Sequence, residues 1–281
     1  MKSTYDRLSQ ICSKETTRLY STSFSLGILL LSKEVRQPIY NIYGFVRLAD
    51  EIVDSFHDFN KTKLLAEFRQ ECFNAIERGI SLNPILNSFQ DVVIRFGIDH
   101  ELIEQFFQSM EMDLTRQHFN EDEYQQYIFG SAQVVGLMCL HVFTYGSPAE
   151  YERLKMPAMK LGSAFQKVNF LRDIKGDYQV LNRSYFPELN LSAFDDASKV
   201  LIEQDIRLDF DQALIGIKQL PKSAKRGVYL AFIFYSRLLT KISKLSAQRI
   251  MLERIRISNW RKILLVIRSL RTGLLKNLEQ K

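Results

Sequence analysis

Glycine and proline are scarce, 12 and 6 in 281 residues, and neither gathers into a linker or a low-complexity segment. A chain without such breaks reads as one folded unit, so we expect a single domain over residues 1–281. Cysteine is rarer still. Cys12, Cys72 and Cys139 stand far apart with no Cys-x-x-Cys pair, which excludes a disulfide framework and points to a reduced, cytoplasmic setting. The amino-terminal residues are polar and hold no apolar signal segment. The four histidines, His57, His100, His118 and His141, show no metal-ligand spacing. No apolar run approaches the roughly 18 residues of a membrane span, since residues 26–31 and 134–140 are too short, and we expect no bilayer crossing.

Period-two runs bounded by hairpin signals are also scarce. Apolar residues instead recur at helical intervals, as in Leu102, Ile103, Phe106, Phe107, Met110 and Leu114 after Asp99, a plausible N-cap. An all-α fold follows. The pattern predicts helices near 4–19, 33–55, 61–79, 84–96, 99–116, 121–145, 148–178, 195–218, 222–246 and 248–278. Two segments, Tyr20-Ser21-Thr22-Ser23 and Asn182-Arg183-Ser184-Tyr185-Phe186-Pro187, read as ordered loops whose hydroxyls and Arg suit phosphate oxygens. The plainer reading of the first is helix capping by Ser.

What the chain has in unusual places is acid. Asp50-Glu51-Ile52-Val53-Asp54 follows Ile39, Tyr40, Ile42, Tyr43, Phe45, Val46 and Leu48, and Asn169 to Asp177 follows Leu161, Ala164, Phe165 and Val168. Helices apolar around much of their circumference are mostly buried, and carboxylates are normally kept out of them. A spacing of four keeps Asp50 with Asp54, and Asn169 with Asp173, on one helix face. A single Asp-x-x-x-Asp is usually a solvated face. Two in apolar helices demand a counter-charge, and Mg2+ takes oxygen ligands while leaving positions for water or phosphate. The pattern therefore predicts a metal-diphosphate site.

Charge is uneven. Residues 241–281 hold 11 Lys/Arg against 2 Asp/Glu, a net of +9, so the rest of this +6 chain carries −3. Trp260, Ile263, Leu264, Ile267, Leu270 and Leu274 recur among basic residues there. Such a segment is either a helix docked on the core or an interfacial helix touching anionic membrane. No nucleic-acid reading module accompanies the charge.

Read together, four ordered blocks resemble the squalene/phytoene synthase family of head-to-head prenyl transferases, most like its bacterial phytoene synthases. They are Tyr20-Ser21-Thr22-Ser23-Phe24-Ser25, residues 40–54 from Tyr40 to Asp54, residues 161–173 from Leu161 to Asp173, and Arg183-Ser184-Tyr185-Phe186-Pro187. The resemblance implies a single all-helical isoprenoid-synthase domain with a central cavity. It implies Mg2+, with Mn2+ as a substitute, held by Asp50, Asp54, Asn169, Asp173 and Asp177 with Glu51 as auxiliary acid. Arg47 matches a diphosphate-binding Arg, and Ser21, Ser23, Phe24, Tyr43, Gln166, Arg172, Arg183 and Tyr185 match residues around the substrate. The implied reaction joins two geranylgeranyl diphosphates through prephytoene diphosphate to phytoene, without NADPH. Squalene or dehydrosqualene formation from farnesyl diphosphate is the nearest alternative, and a non-catalytic helical membrane-surface protein is a more distant one. The implied setting is cytoplasmic, peripheral at the inner face of the membrane, with prenyl diphosphate and not nucleic acid as partner and no oligomeric state indicated. Two departures stand out: Gly176 where the family often has an acid, and the bulkier Gln133 where it often has a small residue.

Overall fold

The computed structural model describes residues 2–179, 185–187, 194–258 and 262, with side chains 177–179 left aside. Among the described residues every regular element is a helix: α1 (Lys2–Tyr20), α2 (Thr22–Leu29), α3 (Lys33–Asp54), α4 (Lys61–Arg78), α5 (Pro84–Phe96), α6 (His100–Thr115), α7 (Glu121–Ile128), α8 (Val134–Phe143), α9 (Pro148–Gln179), α10 (Asp196–Gln219), α11 (Lys222–Ile242) and α12 (Ala247–Leu252). The expected all-α architecture is what the chain adopts.

Local chemistry sets the boundaries. Asn83 caps α5 from its side chain ahead of Pro84 at the first helical position, and Gly97 ends it in the left-handed region at φ 62°. Asp99 caps α6 as the sequence predicts, accepting from the amide of Glu101. Asn120 and Glu123 cap α7 reciprocally.

Three expectations change. Tyr20-Ser21-Thr22-Ser23 is no open loop: Tyr20 ends α1, and Ser21 caps α2, its hydroxyl accepting from the Phe24 amide at 3.2 Å. The helix expected over 121–145 is broken by a π-helical turn, Phe129–Gln133, between α7 and α8. There the helix presses on α6 so closely that a Cβ on Gly130 would lie 2.4 Å from the Gln105 carbonyl oxygen, and the extra residue of the turn accommodates the contact. The helix expected over 248–278 is interrupted after Leu252: residues 253–258 are non-helical, while Lys262 is helical, its amide donating to the Ser258 carbonyl at 3.2 Å. Ile255 in that stretch is buried, so a core contact fixes its path where helical propensity does not. Most of the remaining basic segment, with Trp260, lies outside the described residues.

Glu121–Phe143 is long and apolar enough by length and composition to cross a membrane, a property that no unbroken apolar run in the sequence displayed; half of its most apolar window is buried against the other helices.

The core has two parts. On one side of α3, Phe45 stacks on Phe89 at 3.9 Å and meets Phe106 at 5.3 Å. Burying rings of this size contributes on the order of 2–3 kcal/mol each, which fixes α3 against α5 and α6. The other part gathers α7, α9, α10 and α11 around Phe170, Phe210 and Ile206. Between the two parts lies a cavity of about 930 Å³. On its wall α2 and α11 come close, where a Cβ on Gly227 would lie 2.4 Å from the Leu31 side chain and 2.6 Å from the Gly27 carbonyl oxygen.

Candidate active site

Helix α3 turns one face to the cavity, carrying Tyr43, Arg47, Asp50 and Asp54 at successive turns, while Phe45 faces the opposite core. From α9 come Phe165, Gln166, Asn169, Arg172 and Asp173, again at helical spacing. Ser21 and Phe24 enter from the start of α2, and Tyr185 from the short described stretch after α9. The two acidic motifs thus converge on one cavity from separate helices, as their spacing and burial require. Ser23 and Glu51 lie off the cavity lining, Arg183 lies outside the described residues, and Asp177 is placed on α9 by backbone alone.

The mouth carries charge in a confined space. Enclosure raises the Asp50 carboxyl to about 7, with the neighbouring Asp54 carboxylate adding to the effect and Arg47 opposing it. Arg47 spans Asp50, at 3.9 Å, and Glu51, and its guanidinium lies 4.3 Å from the centre of the Tyr20 ring. Burial of Glu51 opposes ionisation, but its bond from Arg47 and bonds to Ser55 and Tyr20 hold its carboxyl below the usual range. Asp173 is gripped from two sides, by Arg172 with Nε 3.0 Å from Oδ1 and by Arg254 with Nε 2.5 Å from Oδ1. Two polar atoms in this crowded mouth are buried with no hydrogen-bond partner among the described residues, the Nε of Arg47 and the Oδ1 of Asn169. Unsatisfied buried groups cost roughly 1–3 kcal/mol each, so a water or a bound ion in the mouth would find a partner in either atom. Among the described residues no three His, Cys, Asp or Glu side chains close around a point tightly enough to hold a metal alone.

Just inside the mouth, aromatic rings line the passage. Phe165 stacks on Tyr235 at 4.0 Å, and Phe24 packs 5.6 Å from Tyr43, 6.2 Å from Phe165 and 5.9 Å from Tyr235. Burial pushes the Tyr43 phenol far above its ordinary range, Asp50 and Tyr235 reinforcing this while Ser21 works against it, so the phenol is neutral. Deeper, the lining becomes apolar, with Ile28, Leu31, Leu140, Phe143, Leu154 and Ile217.

Sequence reasoning missed three residues here. Asp113 on α6 accepts from the Tyr127 hydroxyl at 2.7 Å and the Tyr185 hydroxyl at 3.0 Å, and lines the cavity. Its signal was available: it falls three residues after Met110 and seven after Phe106, on the apolar stripe of its helix. Tyr235 and Arg254 gave less, one an aromatic in an apolar helix and the other a basic residue in a basic segment. Gln133, bulkier than the residue the family often has there, is absent from the cavity lining and donates instead to the Ser163 hydroxyl at 2.7 Å.

Residues 17–261 match the family described as squalene/phytoene synthase. The chain is 28% identical over 256 residues to phytoene synthase 1, chloroplastic, of Arabidopsis thaliana, covering 85% of this chain and 59% of that protein. It is 29% identical over 260 residues to the chloroplastic phytoene synthase of Narcissus pseudonarcissus, covering 86% and 60%. The chain therefore spans about 60% of the length of these curated relatives. Its fold is that of a solved dehydrosqualene synthase in complex with ligand, at TM-score 0.83 and 19% identity over 97% of this chain and 98% of that one. A squalene synthase from Alicyclobacillus acidocaldarius gives TM-score 0.74 at 20% identity over 85% and 94%.

Proposed function

Because this chain belongs to the squalene/phytoene synthase family, we propose that it is a head-to-head prenyl transferase joining two geranylgeranyl diphosphates through prephytoene diphosphate to phytoene. The observation that carries the proposal is the meeting of two acid-bearing helix faces at the mouth of one large apolar cavity.

The mouth fits a divalent cation. Carboxylate and amide oxygens are the donors that Mg2+ takes, an enclosed carboxyl raised to about 7 is one that gains from a positive neighbour, and Asn169 Oδ1 is an acceptor without a donor. Asp50, Asp54, Asn169 and Asp173, with Asp177, would hold Mg2+, and Mn2+ would substitute for it. When bound, it would supply Lewis-acid neutralisation of the charge that develops on a departing diphosphate.

The chain's own groups do the rest. Arg47, whose Nε has no partner, and Arg172 and Arg254, now spent on Asp173, supply donors in fixed forks that match diphosphate oxygens. Loss of the diphosphate leaves an allylic cation. The faces of Phe24, Tyr43, Phe165 and Tyr235 lie where that cation would sit just inside the mouth, and ring quadrupoles stabilise positive charge. The neutral Tyr43 phenol avoids placing a competing nucleophile there. The apolar chamber keeps water from quenching the cation and receives the hydrocarbon chains, each buried CH2 contributing about 0.8 kcal/mol.

The decisive assay incubates the protein with C20 or C15 prenyl diphosphate, Mg2+, and NADPH present or absent, and identifies the hydrocarbon. Phytoene from the C20 substrate without NADPH is expected. Squalene or dehydrosqualene from the C15 substrate in preference would overturn the chain-length assignment and keep the reaction class, whereas no hydrocarbon from either would overturn the enzyme.

A further inference from the structure

The π-helical turn Phe129–Gln133 presents Ser131 to the cavity, opposite Gln166 on α9. Gln166 Nε2 donates to the Ser131 hydroxyl oxygen at 3.3 Å, and one turn further along α9 Asn169 Nδ2 donates to Gln166 Oε1 at 3.4 Å. The chain of bonds ends at the Asn169 carbonyl oxygen, buried and with no partner among the described residues.

Charge alone does not fix this orientation. Asp50, Asp54, Asp113 and Asp173 line the cavity and attract an amide's amino group, while Arg47, Arg172, Lys175 and Arg254 line it too and attract its oxygen. An unrestrained Asn169 amide would be free to turn its amino group into the mouth and leave no acceptor there. What opposes the turn is the bond from the Asn169 amino group to Gln166 Oε1, beside its contact with Tyr235, and Gln166 is itself held by Ser131. The turn that carries Ser131 is pinned in its turn, since Gly130 backs onto the α6 main chain with no room for a Cβ.

We propose that Ser131 is a positioning residue which, through Gln166, keeps the Asn169 carbonyl oxygen available to a divalent cation in the mouth. The proposal rests on the metal reading above and adds to it a residue outside the metal's own ligands. It also gives the π-helical turn a purpose beyond packing, because the turn is what brings a hydroxyl to Gln166.

The test measures Mn2+ binding directly, by electron paramagnetic resonance titration of the full chain with inorganic pyrophosphate present and no prenyl substrate. Ser131→Ala, Ser131→Thr and Asp50→Asn are compared with the unmodified protein, and circular dichroism melts confirm the fold of each. Outer partners of metal ligands typically govern about 10- to 100-fold in affinity. At one remove further, Ser131→Ala is expected to weaken Mn2+ binding about 10-fold and Ser131→Thr, which keeps the hydroxyl, to restore it. Unchanged binding by Ser131→Ala beside weakened binding by Asp50→Asn would overturn the relay and leave the metal reading standing. Equal weakening by Ala and Thr would also overturn it, since the hydroxyl would then be irrelevant. Unchanged binding by Asp50→Asn would overturn the metal reading and the relay with it.

Discussion

Arg254 and Asp173, 81 residues apart in the sequence, meet with Nε 2.5 Å from Oδ1, tying the non-helical stretch after α12 to the second acidic motif. Arg254 is half exposed, so the pair adds at most about 1 kcal/mol to stability. Its larger effect should be on anion binding. Arg254→Gln is expected to melt close to the unmodified protein while losing about tenfold in affinity for inorganic pyrophosphate with Mg2+, the size of one charge-assisted hydrogen bond. Calorimetric titration checks this, and unaltered affinity would confine Arg254 to a structural part.

Asp50 predicts a pH effect of definite sign. Its carboxyl titrates near 7 in the folded chain against 3.8 for the free side chain, so between those values the folded state keeps a proton that the unfolded state has released. The favourable contribution is fully present below about 3.8 and is lost as pH rises through about 7. Without metal, Asp50→Asn should therefore melt higher than the unmodified protein at pH 8, with the gap closing as pH is lowered toward 5. A third of the side chain reaches solvent, so the gain is discounted to about 1 kcal/mol, or roughly 2–4 °C for a chain of this size. Melting curves at both pH values decide it. The same substitution should abolish turnover, making this a position where function costs stability.

Asp113 accepts from two buried phenols, and a charged acceptor strengthens such bonds. Asp113→Asn removes the charge and also replaces one of the two accepting oxygens by an amino group, leaving one phenol without its acceptor, so unfolding in urea should show a loss of roughly 1.5–3 kcal/mol. A loss below about 0.5 kcal/mol would mean that these two bonds add little to stability.

Two glycines on α9 should respond in opposite directions to the same change. At Gly162 a Cβ would lie 2.6 Å from the Ala132 carbonyl oxygen, and main chain cannot step aside cheaply. Gly162→Ala is expected to cost about 1–3 kcal/mol. At Gly176 a Cβ would meet nothing within 4 Å among the described residues, so Gly176→Ala should be neutral or should gain up to about 1 kcal/mol from helix propensity. Chemical denaturation of the pair measures the contrast.

The two acidic motifs were legible because burial made them anomalous. An Asp in a helix apolar all round must be explained, and α3 and α9 carried that anomaly at helical spacing. Tyr235 offered no anomaly, since an aromatic in an apolar helix is what a core contains. Arg254 was hidden by a wrong period: Arg254-Ile255-Arg256-Ile257 alternates, with Ile255 buried, but the helical spacing of the residues after it dominated the reading. The start of α2 was read as a loop because serine serves loops and helix caps alike, and only the bond from the Phe24 amide separates the two. The π-helical turn answers to a contact with Gln105 some 25 residues away, which no local pattern encodes.

The Gly27–Gly227 contact places main chain in the wall of the cavity. Side chains that line a chamber can be trimmed, and trimming is how a binding space is usually enlarged. A glycine has none to trim, and at Gly227 an added Cβ would meet the Leu31 side chain at 2.4 Å before the Gly27 carbonyl oxygen at 2.6 Å. Room at this point of the chamber can therefore be gained through Leu31, which also lines it, and not through either glycine.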